Sequence, residues 1–283
     1  MAAMVSQVRA ISAGDPVALL ENGDVGLVTD AMFEAGASER RFFAADVLTT
    51  GKNVSFDPAT QKVGGTSLDG SDVEVLRGML SRFSEAAQDL VRQLCPAYRD
   101  RLIRARTSFR PVEIAGRASS WRKDDTRLHI DSFPATPVHG ARILRVFSNV
   151  NPHGRPRTWR IGEDFESVGR RFASKIRSPW SGWSAVLRAM RVTKSRRSPY
   201  DWLMLQLHDR MKEDMAYQSA VPQATVEFPV GATWMAFTDQ VSHAAMAGQY
   251  QLEQTFLLPV EAMRDPQRSP LRILERIKGH ALV

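Results

Sequence analysis

The spacing of hydrophobic residues changes along this 283-residue chain, and each change marks a different kind of structure. Residues 1–70 contain short apolar runs separated by Gly, Asp and Asn, which predict short strands and turns. These runs are PVALLENGD, VGLVTD, RFFAADV and KNVSFDP. From Ser71 to about Arg106, apolar residues recur at spacings of three and four and predict an amphipathic helix. Ser71 and Glu74 have the order of a capping box, and Pro96 should break or kink the helix.

The second half combines extended and helical patterns. Extended structure is expected over 108–118, 125–131, 141–150, 224–228, 232–239 and 249–260. Residues 162–216 are expected to be mostly helical with breaks near Pro179 and Pro199, and 266–280 a short basic helix. Strands on both sides of a helical stretch predict one α+β domain over 1–283. Its parts are N-terminal strands with a supporting helix (1–106), a β-rich core (107–150 and 222–260), a basic helical insertion (155–220) and a basic tail (261–283).

The composition is that of an ordinary globular protein, with 43% hydrophobic and 24% charged residues. It excludes a wholly disordered chain and a fibrous repeat. No apolar stretch approaches the ~20 residues of a membrane-spanning helix, and we expect no secretory signal. The single Cys95 excludes an intramolecular disulfide and a multi-cysteine metal site, and it fits a reducing, cytoplasmic setting.

The net charge of +7 is concentrated in one segment. Residues 155–197 contain twelve Lys or Arg against three acids, together with Trp159, Trp180 and Trp183. Such a field attracts polyanions, and tryptophan beside basic residues suits a membrane interface. The alternative is a solvated helical face. No zinc-finger, RNP or basic-zipper motif is present, so no nucleic-acid partner is predicted.

Among six histidines, one begins the triplet His129-Ile130-Asp131. Residues i and i+2 of a strand face the same way, so this imidazole and carboxylate can bind one metal ion. His243, which follows a predicted strand, would complete a 2-His-1-carboxylate triad with open positions on Fe(II). His208 is the rival third ligand. A structural role for each of these side chains is the alternative.

An anionic cosubstrate such as 2-oxoglutarate would need a buried cation near the metal. Arg145 lies between Leu144 and Val146 in an apolar strand, where an unpaired charge would cost several kcal/mol. Arg110 is the second candidate, and a structural ion pair is the alternative for Arg145. Gln254 and Asn149 are candidate hydrogen-bond donors.

Three segments of the chain stand out, namely RLHIDSFPATPVHGARILRVFSNVNPHGRPRTWRIGEDF, YDWLMLQLHDRMKED and FPVGATWMAFTDQVSHAAMAGQYQLEQTFLLP. Together they resemble the Kdo hydroxylase family. The resemblance extends from about Pro16 to Pro259. It implies a double-stranded β-helix (jelly-roll, cupin-like) core and an enzyme that uses Fe(II), 2-oxoglutarate and O₂ to hydroxylate C3 of a Kdo sugar in lipopolysaccharide, giving Ko. It also implies His129, Asp131 and His243 as iron ligands, Arg145 as the 2-oxoglutarate anchor and Arg110 as an accessory.

Substrate contacts are expected from Arg127, which would share a strand face with His129, and from Trp121 and Lys123 in a polar loop. The resemblance implies Kdo-lipid A as partner, with the basic segment docking the enzyme on the inner face of a bacterial inner membrane. Two alternatives stay open. One is an iron/2-oxoglutarate oxygenase acting on protein or nucleic acid, and the other is a non-catalytic β-barrel module that binds anionic glycolipid.

Overall fold

The computed structural model describes residues 5–11, 14–28, 33–49, 51–177, 188–190, 193 and 195–283. The strands are β1 (Val8–Ala10), β2 (Val25–Val28), β3 (Val54–Asp57), β4 (Lys62–Gly64), β5 (Ile103–Arg110), β6 (Arg142–Asn149), β7 (Arg157–Ile161), β8 (Ala224–Phe228), β9 (Thr233–Phe237), β10 (His243–Ala247) and β11 (Gln251–Leu258). The helices are α1 (Pro16–Glu21), α2 (Gly70–Leu94), α3 (Phe165–Phe172), α4 (Pro199–Glu213), α5 (Met215–Ala220) and α6 (Pro270–Lys278).

The strands form two sheets. The larger has eight strands in the order β1-β2-β9-β6-β11-β5-β3-β4, and the smaller has three in the order β10-β7-β8. The β1–β2 pair is parallel and the remaining pairs are antiparallel, so the larger sheet is mixed. The predicted α+β class is confirmed, and the central strands β6 and β11 bring together segments about a hundred residues apart.

Helix α2 is the clearest success of the hydrophobic pattern. Its buried stripe covers the β3–β5 side of the large sheet and ends before Pro96, which cannot continue a helix. The predicted capping box is wrong, because the N-cap is Asp69 and Ser71 lies inside the helix. The buried residues of the stripe are Leu76, Met79, Leu80, Phe83, Ser84, Ala87 and Val91.

Several predicted strands are absent. The run PVALLENGD forms α1, where Asp15 accepts hydrogen bonds from the amides of Val17 and Ala18 and Pro16 takes the first helical position. RFFAADV forms two 3-10 turns, at Arg40–Phe42 and Ala45–Val47. Residues 125–131 form a single bridge to His243 in place of a strand.

The segment 155–220 is not wholly helical. It begins with β7, the central strand of the small sheet, and continues through α3, α4 and α5. Trp159 of β7 is buried, so it does not belong to a surface patch. Trp180 and Trp183 lie outside the described residues.

The two sheets face each other across an aromatic layer. Phe147 of β6 lies edge-on to Trp159 of β7, with ring centroids 5.0 Å apart. Phe228 of β8 stacks on Trp234 of β9 at 4.0 Å. This layer fills one end of the space between the sheets, and a cavity occupies the other.

Arg142 at the start of β6 is fully buried and needs a partner there. Its Nε donates to Asp239 Oδ2 at 2.8 Å, and Nη2 donates to Gln240 Oε1 at 2.6 Å. The guanidinium also lies 3.9 Å from the centroid of the Phe237 ring. These contacts join the strand to the turn that precedes β10.

We predict that Arg142→Met lowers the free energy of unfolding by about 3–5 kcal/mol, because it leaves the Asp239 carboxylate buried without its cation. The Arg142→Met/Asp239→Leu double variant should recover much of this loss. Urea denaturation is the measurement. Arg41→Met is the control, since its pair with Asp72 is about half exposed and should contribute less than about 1 kcal/mol. Equal effects from Arg142→Met and the control would contradict the prediction.

Candidate active site

A pair of backbone hydrogen bonds brings the two histidines together. The amide of His129 donates to the carbonyl of His243 at 3.0 Å, and the amide of His243 donates to the carbonyl of His129 at 2.9 Å. Two residues further on, the amide of Asp131 donates to the carbonyl of Thr238 at 2.8 Å. These bonds place the H-x-D triplet beside the start of β10 although the triplet is not a strand.

The side chains of His129, Asp131 and His243 converge on one point. One ligand atom from each lies within 4.8 Å of the other two. Nδ1 of His129 is 2.8 Å from the carbonyl of Arg127, and Nδ1 of His243 is 2.8 Å from the carbonyl of Val241. A protonated Nδ1 donates to each carbonyl, which leaves both Nε2 lone pairs available to a metal.

Burial and nearby charges hold the three side chains in the protonation states that bind a cation. Burial lowers the pKa of both imidazoles, with the Lys212 charge adding to the effect at His129, so both rings are held neutral. Burial is the largest effect on Asp131 and by itself would raise its pKa, but the charge of Arg145, a hydrogen bond from Thr238 and smaller contributions together outweigh it and lower that pKa to about 2. Neutral imidazoles and an ionised carboxylate are the forms that bind a metal.

This donor set fits Fe(II). Its two nitrogens and one oxygen would hold the ion and would leave coordination positions open for other ligands. His208 lies close, with its ring edge-on to His129 at 5.4 Å, but its Nδ1 is 2.9 Å from Asp209. Among the described residues, His208 is not part of the three-residue cluster.

The three groups lie on the wall of a cavity of about 650 Å³ between the two sheets. Its charge is strongly unbalanced, with eight basic side chains against three carboxylates, so it suits anionic ligands. The basic residues are Lys52, Arg110, Arg117, Arg122, Lys123, Arg145, Arg157 and Lys212, and the acids are Asp125, Asp131 and Glu253. Only Arg157 comes from the basic segment 155–197.

Arg145 and Arg110 both reach the cavity, and both already contact two carboxylates. Arg145 lies 3.3 Å from Asp131 Oδ2 and 2.9 Å from Glu253 Oε1. Arg110 lies 3.2 Å from Asp125 and 3.3 Å from Glu253 Oε2. Glu253 therefore bridges the two arginines.

Arg157 is a cavity residue that the sequence analysis did not single out. It is fully buried, its Nη1 donates to the carbonyl of Gly248 at 2.6 Å, and its Nε has no partner. In the described part of the chain it forms no ion pair, and burial together with the charge of Arg110 lowers its pKa to about 9. The alternation Arg157, Trp159, Ile161 in RTWRI was the signal that this arginine faces inward.

Two expected hydrogen-bond donors are not at the cavity, which corrects their assignment. Gln254 accepts from Thr107 Oγ1 at 2.6 Å and donates to the carbonyl of Ala105, because it faces the opposite side of β11 from Glu253. The side-chain amide of Asn149 donates to the carbonyls of Arg155 and Phe228. Gln251 of β11 lines the cavity instead, with a buried and unpartnered Oε1.

The expected substrate residues divide into two groups. Lys123 lines the cavity at its exposed rim, Arg117–Lys123. Trp121 lies beside it, with the Arg122 guanidinium 4.1 Å from its ring centroid, but does not line the cavity. Arg127 points away, because it bonds Asp124 at 3.1 Å and donates to the carbonyl of Lys212.

Comparison with known proteins gives the geometry a context. The family model described as 3-deoxy-D-manno-oct-2-ulosonic acid (Kdo) hydroxylase matches residues 6–281. No match was found among the curated proteins.

Solved structures of the Kdo hydroxylase KdoO, a non-heme Fe(II) alphaketoglutarate dependent dioxygenase, are similar to this chain. The complex with alphaketoglutarate and Fe(III) and the complex with cobalt(II) each have a TM-score of 0.92 and 44% identity. The complex with succinate and Fe(III) has a TM-score of 0.91 and 44% identity. Each comparison covers 95% of this chain and 90% of that chain. The chain therefore belongs to the Kdo hydroxylase family.

Proposed function

We propose that this protein is an Fe(II)/2-oxoglutarate-dependent Kdo hydroxylase whose iron is held by His129, Asp131 and His243. The observation that carries the proposal is the convergence of these three ligand atoms within 4.8 Å at the wall of a cationic cavity. The KdoO complexes with metal, alphaketoglutarate and succinate support the same chemistry for this chain. Bound iron supplies the oxidising chemistry that converts 2-oxoglutarate, O₂ and the sugar into succinate, CO₂ and the hydroxylated sugar.

The chain's own residues fix the geometry of that chemistry. The carbonyls of Arg127 and Val241 orient the two imidazoles, and Trp159 stacks on the His243 ring at 5.0 Å. Arg145 holds the Asp131 carboxylate from the side away from the metal point, which favours its ionised form. The aromatic layer behind Trp159 keeps water from that end of the site.

We assign the distal carboxylate of 2-oxoglutarate to Arg157. The carboxylates around Arg145 and Arg110 already neutralise those arginines, whereas Arg157 carries a buried charge that a ligand carboxylate would compensate. Arg145 and Arg110 then frame the cosubstrate rather than anchor it. Arg145 as the anchor is the alternative.

The rim Arg117–Lys123 is the proposed entrance for the sugar, with Lys123 and Trp121 as its first contacts. The facing sheets support the assignment of a double-stranded β-helix core, and the shared aromatic layer supports a single catalytic domain over 1–283. We propose Kdo-lipid A as the acceptor, since a lipid-linked sugar would place the exposed rim towards the membrane.

We also propose electrostatic docking at the inner face of the bacterial inner membrane. No described helix is both long and apolar enough to cross a bilayer. Part of the basic segment is already buried or paired: Arg157 is buried, and the exposed Arg170 and Arg171 form ion pairs with Glu166 and Glu163. The exposed basic residues left for docking in the described part of the segment are Arg155, Lys175, Arg177, Arg188 and Arg196.

We expect His129→Ala, Asp131→Ala and His243→Ala each to reduce bound iron and succinate formation to background, because two ligands cannot hold the ion. Metal analysis of purified protein and a succinate assay are the measurements. His208→Ala should retain iron, and exposed His280→Ala is the control. Normal iron content in His243→Ala together with loss of iron in His208→Ala would show that His208 of α4 is the third ligand in place of His243.

We expect Arg157→Met to raise the KM for 2-oxoglutarate by roughly 10- to 100-fold, the size of a lost hydrogen bond to a charged group. Arg145→Met should instead weaken iron binding, because it leaves Asp131 and Glu253 without their shared cation. Initial rates against 2-oxoglutarate, with metal content measured in parallel, separate the two effects. A KM that rises only in Arg145→Met would place the anchor on Arg145.

We expect binding to anionic phospholipid vesicles at low ionic strength and its loss at high salt, where charges are screened within a few Å. Each surface cation contributes about 1 kcal/mol, so Lys175→Gln/Arg177→Gln should weaken binding by roughly tenfold or more. Vesicle co-sedimentation measures this, with phosphatidylcholine vesicles as control. Equal binding at both salt concentrations would rule out electrostatic docking.

A further inference from the structure

Lys212 is a buried lysine that forms no ion pair within the part of the chain that the structure describes. It is only 2% exposed, and its Nζ donates one hydrogen bond, to the carbonyl of Arg122 at 3.1 Å. Burial lowers its pKa, which reflects the cost of holding this ammonium away from water. A cation retained at such a cost and facing a cavity indicates an anionic ligand.

The position of Lys212 links the metal point to the entrance. It lies one helical turn after His208 on α4, so both side chains are on one face of the helix, and both line the cavity. His208 contacts the His129 ring, and Lys212 lines the same cavity as both triad histidines. At the other end, its bond to Arg122 ties it to the rim. Lys212 therefore lies between the rim and the triad.

The structure of the sugar places its own carboxylate close to the triad during the reaction. In a 3-deoxy-oct-2-ulosonic acid, C3 lacks its hydroxyl and is bonded to C2, which carries the C1 carboxylate. The carboxylate is therefore only two bonds from the carbon to be hydroxylated. When C3 approaches the metal, the carboxylate must lie beside the triad, where an uncompensated charge is costly.

The other buried cations of the cavity are already used. Arg145 and Arg110 share Glu253, and Lys52 forms an ion pair with Asp125. Arg157 of β7 donates to the carbonyl of Gly248 and is the proposed anchor of the cosubstrate. This leaves Lys212 as the buried cation on the sugar's path.

We propose that the ammonium of Lys212 binds the C1 carboxylate of the sugar and so makes the enzyme selective for an acidic over a neutral sugar. The proposal rests on the proposed function and extends it to substrate selection. Lys212 then has no part in holding iron or 2-oxoglutarate.

The test compares two substrates in matched variants. The substrates are a Kdo glycoside and its C1 carboxamide, a neutral group of the same shape. The variants are Lys212→Met, which keeps length and removes charge, Lys212→Arg, which keeps charge, and exposed Arg210→Met on the same helix as control. Hydroxylated sugar and succinate are both quantified, and metal content is measured for each protein.

We expect wild type, Arg210→Met and Lys212→Arg to prefer the acid. In Lys212→Met, kcat/KM for the acid should fall roughly 10- to 100-fold while that for the carboxamide stays unchanged, so the preference is lost. Iron content and the KM for 2-oxoglutarate should match wild type.

A parallel fall for acid and carboxamide in Lys212→Met would overturn the proposal, because it would show a structural role. An unchanged preference for the acid would overturn it as well. If wild type binds iron but hydroxylates neither sugar, the proposed function fails, and this proposal fails with it. Loss of the preference in Lys212→Met alone is a result that a folding defect cannot produce.

Discussion

The reciprocal hydrogen bonds between the backbones of His129 and His243 are the contact on which the site depends. They join segments more than a hundred residues apart in the sequence, and each ring is then oriented by a carbonyl two residues before it. The direction in which each histidine side chain leaves the backbone is therefore set by main-chain pairing and not by side-chain packing alone. Any element that fixes this pairing, including the Arg142–Asp239 ion pair beside the β9–β10 turn, supports the metal point indirectly.

The charged side chains of the cavity form a row in which acidic and basic residues alternate. Asp131, Arg145, Glu253, Arg110, Asp125 and Lys52 contact one another in that order. Each member compensates its neighbours, which is how so many ionised groups are tolerated in one buried place. Arg157 and Lys212 lie outside this row and form no ion pair with any described residue. Two such cations beside a metal point suit the proposed binding of two anionic molecules, the cosubstrate and the sugar.

Sequence patterns predicted elements well where one period extended over many residues. Helix α2 and strands β6 and β11 agree with their apolar patterns because each has a face buried along nearly its whole length. The short run at 16–24 was assigned to a strand, although Asp15 followed by Pro16 is a helix start. The triplet at 129–131 is held in place by a single β-bridge between His129 and His243. A local sequence pattern does not encode this bridge, because its two residues are more than a hundred positions apart.

By itself, the sequence determined the donor set and its order along the chain, since H-x-D and a later histidine specify ligand chemistry directly. The resemblance of three segments to the Kdo hydroxylase family added the prediction of the reaction. The tertiary structure decided which charges act together. Trp159 and Arg157 belong to the cavity and not to a surface patch, Gln254 faces the other way, and Lys212 forms no ion pair among the residues that the structure describes. The number of charges follows from the sequence alone. The partner and the burial of each charge depend on contacts between distant segments, and partner and burial together set the free energy of that charge.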